Sequence, residues 1–358
     1  MRTTVPIAQE IYSGLCYYAD IPEVGKEFLR AKSVAADKVD DAYFAMKSFI
    51  RQSQAFCAAA EQAGARASPL TWYYCFLNLA KSFLCLTVPE KVRGRIGHGL
   101  THELKSTGLE KQTLRVVDGG VFGLLYEALF GQPLPKDMEF DVFSLLTYCT
   151  DISHEIEQSG ALMSTVPVYA RLVVDPANQQ CYPLLATNRL HGLEASDLGK
   201  KLFFEHFEEV SFADARFVTM VFGLPGEVAR QFRYFETKNF LKTEPNGGVI
   251  LPNVEAECLK MIEPLVVENP YEENDGCDLY LCRPLKGATE IPFNQVLATY
   301  AALYFLSSLV RYHPVYFEKQ LASRDAWIVD SFARSTPITL LRHLANRIFG
   351  QGRRYSLR

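Results

Sequence analysis

The stretch SPLTWYYCFLNLAKSFLCLTVPEKVRGRIGHGLTHEL, Ser68–Leu104, decides the fold of this chain. It joins a strongly apolar helical segment directly to a turn rich in Gly, Arg and His. Ser68 is a favourable N-cap, and Pro69 suits the first helical turn, where its missing N–H would have no intrahelical partner. Apolar side chains then recur on most faces, which is typical of a helix inside a bundle. The sequence therefore predicts a buried central helix.

A narrow set of polar residues interrupts this apolar surface: Thr71, Asn78, Lys81 and Ser82. At helical spacing they fall within roughly a third of the circumference. One interpretation is a stripe that faces solvent. The other is that Asn78 and Lys81 face a polar binding site beside the following turn. Periodicity is compatible with both.

The turn combines side chains that suit phosphate chemistry: Arg93, Arg95, His98 and His102. Its glycines allow tight backbone conformations and close approach of a ligand. Arg offers planar donors for phosphate, and His transfers protons near neutral pH. Arg93 and His98, separated by four residues, therefore predict a catalytic pair that cleaves RNA without a metal ion, with Arg95 and His102 as binding residues. The alternative is a capped surface loop whose Arg side chains are solvated.

Charge is distributed unevenly along the 358 residues, although the net charge is only −4. From Arg311 to Arg358, nine Lys or Arg residues face three Asp or Glu residues, an excess of +6. This segment could bind an acidic polymer or the acidic middle of the same chain. Arg342 and Arg347, on the last predicted helix, are candidate phosphate-binding residues. An exposed basic face without a ligand would explain them equally well.

Several classes of protein are excluded by what the sequence lacks. The nine cysteines are scattered without a Cys-x-x-Cys pair, so neither a disulfide framework nor a zinc ribbon is expected. No metal and no cofactor are expected, because the zinc-helix, Walker, dinucleotide and kinase motifs are all missing. Val296–Val310 is the most apolar run and is about five residues short of a membrane span. We expect a cytoplasmic protein without a membrane partner.

Helical and strand-like segments occupy different parts of the chain. Residues 1–160 and 291–358 are mainly helical in pattern, whereas residues 161–290 are rich in β-branched residues and turn signals. Because the strands do not alternate with helices, the sequence predicts class α+β. We expect a helical bundle formed from both chain ends, with an inserted, mostly antiparallel β-rich segment. The C-terminal helices should pack back on the N-terminal ones.

Individual elements follow from local periodicity. Asp40–Gln62 predicts an amphipathic helix, and Leu202–Phe212 alternates partly like a strand. One helix is possible around Glu227–Phe240. Ser335-Thr336-Pro337 predicts the start of the last helix, because Pro is favoured at the first helical position.

Three of these segments together resemble the YaaC-like family of prokaryotic proteins. They are YYCFLNLAKSFL, the HGLTHEL that follows it, and the C-terminal apolar helix with its Arg-Tyr-His-Pro end and closing Pro-Ile-Thr-Leu-Leu helix. The N-terminal helical pair is also similar to HEPN domains, helical bundles of prokaryotic toxins and phage-defence nucleases. That resemblance implies an Arg, a short spacer and a His in two copies across a homodimer, forming one ribonuclease site. Arg93 and His98 match this motif.

The sequence leaves three hypotheses open. The first is an RNA-cleaving or RNA-binding, HEPN-like effector in phage defence or a toxin system, acting as a homodimer. The second is a non-catalytic interaction or scaffold subunit that pairs with a protein partner. The third is a sensor of a small ligand such as a nucleotide, with the Gly-rich turn receiving phosphate.

Overall fold

The computed structural model describes residues 6–92, 94, 96–104, 108–109, 112–175, 179–188, 191–211, 227, 230–238, 241–242, 266–268, 279–287 and 290–350. The chain forms two units. One holds the residues up to Met163 together with those from Gln295 onward, and the other holds Ser164–Asn294. The predicted fold class is confirmed: a helical bundle built from both chain ends carries an inserted, antiparallel β-rich segment.

The helices lie at the following positions: α1 Ile7–Asp20, α2 Pro22–Ala31, α3 Val39–Gln62, α4 Ser68–Thr87, α5 Pro89–Val92, α6 Val121–Phe130, α7 Val142–Leu146, α8 Ser153–Gln158, α9 His191–Glu194, α10 Asp197–Phe204, α11 Gln295–Tyr312, α12 Pro314–Leu321 and α13 Ala326–Phe349. Single 3-10 turns cover Ala36–Lys38 and Thr150–Ile152. Within the described ranges, no helix is both long enough and apolar enough to cross a membrane.

The strands are β1 Leu100–Glu103, β2 Thr113–Val116, β3 Glu139–Asp141, β4 Thr165–Asp175, β5 Gln180–Thr187, β6 Phe207–Val210, β7 Arg233–Thr237, β8 Leu241–Lys242, β9 Val266–Glu268 and β10 Leu279–Cys282. In the first unit, β1, β2 and β3 form a small antiparallel sheet in that order. In the second unit, the strand order is β6-β7-β5-β4-β10-β9, and β8 pairs with β5. All pairings are antiparallel.

Helix α4 lies at the centre of the first unit and packs against α3, α6, α11 and α13. It is buried on most faces, which confirms the predicted central helix. Phe56 of α3 stacks on Tyr74 of α4 at 5.4 Å between ring centroids. The Lys81 ammonium lies 5.5 Å from the Phe49 ring centroid. These contacts pair later residues of α4 with earlier residues of α3, so the two helices are antiparallel.

Two predictions in the second unit are corrected in part. Within Leu202–Phe212, predicted to alternate partly like a strand, residues 202–204 end helix α10 and Phe207–Val210 form strand β6. The helix forms because Ser196 Oγ accepts a hydrogen bond from Gly199 N at 2.9 Å and caps its start. Within Glu227–Phe240, residues Arg233–Thr237 form strand β7 between β5 and β6. Cross-strand pairing on both sides overrides the local helical pattern.

The C-terminal helix does not begin at Ser335. Helix α13 starts at Ala326 and continues through Pro337 to Phe349. Pro337 lacks an N–H, so one intrahelical hydrogen bond is missing at this position. Thr336, Pro337 and Thr339 are buried. Packing on several sides therefore holds the helix together where the local sequence favours a break.

Two glycines bring the Gly/His turn against the start of α6. Gly99 has φ +84°, a conformation that favours glycine. A Cβ on Gly120 would overlap the Gly99 backbone. Val121 N donates to Gly97 O at 3.0 Å, and Phe122 N donates to His98 O at 3.1 Å. The first amides of α6 thus fix the backbone of the turn on both sides of His98.

We expect Gly120→Ala to destabilise the protein by roughly 1–3 kcal/mol, because backbone on both sides must move to admit the methyl group. Gly123→Ala is the matched control, since Gly123 lies in the first turn of α6, which Gly120 caps, and has open space around its Cα. That change should stabilise the protein by about 0.5–1 kcal/mol. Thermal unfolding of both variants measures the difference. Equal melting temperatures would show that the close approach of the two glycines is not required.

Candidate functional site

His98 is held between α4 and α11. Its Nδ1 lies 2.8 Å from the Tyr73 hydroxyl of α4. The imidazole ring centroid is 5.5 Å from the Tyr73 ring and 5.7 Å from the Tyr304 ring of α11. The side chain is half-buried. Because the turn is fixed at its backbone and the ring at Nδ1, the imidazole has a defined orientation.

Two cations lie close enough to act on His98. Burial is the main cause that lowers the pKa of His98, and the charges of Lys81 and Arg311 lower it further. The lowered pKa favours the neutral form of His98. Arg311 Nη1 donates to the Tyr74 hydroxyl at 2.6 Å, which holds the guanidinium beside α4. Lys81 is half-buried, and burial lowers the pKa of its own ammonium. This arrangement favours a negatively charged ligand near His98.

Tyr73 keeps its proton at neutral pH. Burial raises the pKa of Tyr73 well above its ordinary value, and Tyr300 and Tyr304 raise it further. The Tyr73 hydroxyl engages Nδ1 of His98, so Nε2 is the imidazole nitrogen that is left for proton exchange with a ligand. With the proton on Nδ1, the Nε2 atom is a base. In the opposite tautomer it carries a proton and is a donor.

Asn78 and Lys81 of α4 were predicted to face one polar site, but the structure places them in different surroundings. Asn78 is 5% exposed, and its Nδ2 donates to Tyr74 O of the same helix at 2.8 Å. The solvent-facing stripe is therefore wrong for Asn78 and also for Ser82, which is buried. Lys81 acts on His98, whereas the Asn78 amide bonds to the backbone of its own helix.

His102 lies on β1, close to Phe305 of α11 and to His313, which follows α11 directly. Its ring centroid is 5.7 Å from Phe305 and 5.6 Å from His313. Burial lowers the pKa of His102, and His313 lowers it further. Nothing in the described part of the chain hydrogen-bonds its buried Nε2. The lowered pKa favours the neutral form of the His102 imidazole, whose ring centroid lies 6.3 Å from that of Tyr304.

The predicted binding residues of the last helix lie elsewhere. Arg342 is 0% exposed and belongs to the core, which places it out of reach of a ligand at the surface. Burial lowers the pKa of neighbouring His343 to about 3, with contributions from Arg347 and Arg342. Arg347 is half-buried. An exposed basic face on this helix is therefore wrong.

Arg93 and Arg95 lie outside the described residues. The sequence missed Tyr73, Tyr304 and Arg311 as neighbours of His98. Tyr300 and Tyr304 are one helical turn apart in α11. This spacing predicts that they share a face of the helix, but it does not predict that this face packs against His98. Over the ranges that the structure describes, no group of three or more His, Cys, Asp or Glu side chains is arranged to hold a metal ion.

Comparison with known proteins gives one match. The sequence matches the family described as YaaC-like Protein over residues 26–348. No curated protein and no solved structure matches it. The family match covers most of both chain ends and the whole β-rich segment. This chain therefore belongs to the YaaC-like family.

Proposed function

We propose that this protein is a HEPN-like, metal-independent endoribonuclease, acting as an RNA-directed effector in phage defence or a toxin system. The observation that supports the proposal is the half-buried His98, oriented by Tyr73 at 2.8 Å beside the cations Lys81 and Arg311. A neutral imidazole next to two positive charges suits a phosphodiester, which carries one negative charge.

The proposed reaction needs no external nucleophile. The 2′-hydroxyl of the substrate gives up its proton and attacks the adjacent phosphorus, and the bond from phosphorus to the 5′-oxygen breaks. The products are a 2′,3′-cyclic phosphate and a 5′-hydroxyl end, which receives a proton. His98 Nε2 takes or supplies one of these protons. Lys81, Arg311 and the predicted Arg93 stabilise the charge that develops on the phosphoryl oxygens.

A homodimer fits this reaction because it needs a base and an acid in the same turnover. One imidazole serves one of these roles at a time. A second copy of the chain would bring a second His98 and Arg93 to the same phosphate. We therefore include the homodimer in the proposal.

We expect the wild-type protein to cleave labelled total RNA and tRNA in the presence of EDTA. His98→Ala should lower the rate by about 100- to 10,000-fold, the usual contribution of one proton-transfer group. His154→Ala is the matched control, because His154 is exposed on α8 of the same unit. That variant should cleave like the wild type.

The products and the variants separate the possible outcomes. Cyclic phosphate ends that depend on His98 support the proposed reaction. Equal cleavage by wild type and His98→Ala would point to a contaminating nuclease or to another site. Absence of cleavage at high protein concentration, with any genomic neighbour supplied, would favour the interaction or sensor hypotheses.

The pH dependence of cleavage gives a second prediction. If one His98 acts as the base and the second as the acid, the rate should reach its maximum below the ordinary His range, because the pKa of His98 is lowered. At still more acidic pH the rate should fall, because both imidazoles then carry a proton. In Lys81→Met one nearby positive charge is lost, so the pKa of His98 rises and the acidic fall moves to higher pH.

Lys200→Met serves as the control for this experiment, since Lys200 is exposed in the second unit. Its pH–rate profile should coincide with that of the wild type. A profile of Lys81→Met that is lower at every pH but unshifted would mean that Lys81 does not act on the titrating group.

A further inference from the structure

The last two residues of α11 place an aromatic ring and a guanidinium together at the surface. Tyr312 is 60% exposed. The Arg311 Cζ atom lies 4.9 Å from the centroid of its ring. We call this pair the Arg311–Tyr312 platform. The guanidinium covers part of the Tyr312 side chain, and a large part of the ring stays open to solvent.

The platform is fixed in place from two directions. Helix α11 ends at Tyr312, and α12 begins at Pro314 after the single residue His313. A proline at this point prevents α11 from continuing. Arg311 is also bound to α4 through its 2.6 Å hydrogen bond to the Tyr74 hydroxyl. The aromatic surface is thus presented by a helix end and not by a free loop.

A short chain of contacts connects the platform to His98. Tyr74, which accepts from Arg311, is 5.8 Å from Tyr73 between ring centroids, and Tyr73 holds His98 Nδ1. On α11, burial is the main cause that raises the pKa of Tyr304. A hydrogen bond with Ser308 lowers this pKa, and the nearby Tyr312 hydroxyl raises it further. The Tyr304 ring is adjacent to His98. The platform and His98 therefore belong to one region of the first unit.

An open aromatic ring next to a cation has the chemistry that single-stranded nucleic acids require. Unpaired bases stack on aromatic side chains, and cations bind the flanking phosphates. Bases in a duplex are already stacked on each other and do not offer a face. A protein partner could use an exposed Tyr, but the cations Arg311 and Lys81, which both act on His98, favour a polyanion.

We infer that the Arg311–Tyr312 platform stacks one unpaired base of a single-stranded RNA whose neighbouring phosphate lies at His98. This inference rests on the proposed function and adds the substrate class and a specificity-determining residue. Every base can stack on an aromatic ring, so stacking does not distinguish one base from another. The platform therefore favours single-stranded RNA over duplex RNA but does not favour any nucleotide sequence.

The test measures binding of a short fluorescent RNA to the full chain by anisotropy, with 2′-O-methyl groups that prevent cleavage. We expect Tyr312→Ala to weaken binding roughly 5- to 100-fold, the usual effect of losing one stacked base. Tyr312→Phe keeps the ring and should bind within about two-fold of the wild type. Tyr17→Ala, which removes a ring that is 53% exposed on α1, is the matched control and should have no effect.

An abasic version of the same RNA shows whether the base itself is bound. Wild type should bind the abasic strand as weakly as Tyr312→Ala binds the normal strand, and the variant should bind the two strands equally.

If Tyr312→Ala weakens the binding of both strands equally, or behaves like Tyr17→Ala, the platform is not a base-stacking site, although the protein still binds RNA. If wild type binds no RNA, the proposed function fails. If Tyr312→Ala instead disrupts an oligomer in size-exclusion chromatography, the surface is a protein interface and the inference is overturned.

Discussion

The burial of α4 on most of its faces is the constraint on which the first unit depends. A helix of this kind has no stable position at a surface, because its aromatic and aliphatic side chains would remain in water. It must be covered from several directions, and α3, α6, α11 and α13 do so. Two of these helices come from the far end of the chain. The two chain ends therefore meet on α4.

The position of His98 follows from the same packing. In the chain, α4 is followed by α5 and then by β1, and Gly99, just before β1, lies against Gly120. The amides at the start of α6 bind the carbonyls of Gly97 and His98. Tyr73, one of the buried residues of α4, then reaches the imidazole. A structural requirement and a candidate chemical group thus share one turn.

Charge near His98 comes from helices that are far apart in sequence. Lys81 lies on α4, and Arg311 lies in the last turn of α11. Each has a neighbour that holds it in place, the Phe49 ring for Lys81 and the Tyr74 hydroxyl for Arg311. Both positive charges make the protonated form of His98 less favourable. The same arrangement that keeps the imidazole neutral would attract a phosphate.

The sequence by itself determined the fold class and the central helix. Continuous apolar periodicity predicted α4, the β-branched middle segment predicted the inserted sheet, and the glycines predicted a tight turn around His98. The local pattern failed at Pro337, where burial holds the helix together, and at residues 202–204, which belong to the helix that Ser196 caps. Only the tertiary structure decided which side chains surround His98. Periodicity shows that one face of a helix is buried, but not which element packs against that face. The sequence therefore did not predict that Arg311 and Tyr304 lie beside His98. It also did not predict that Arg342 is buried in the core.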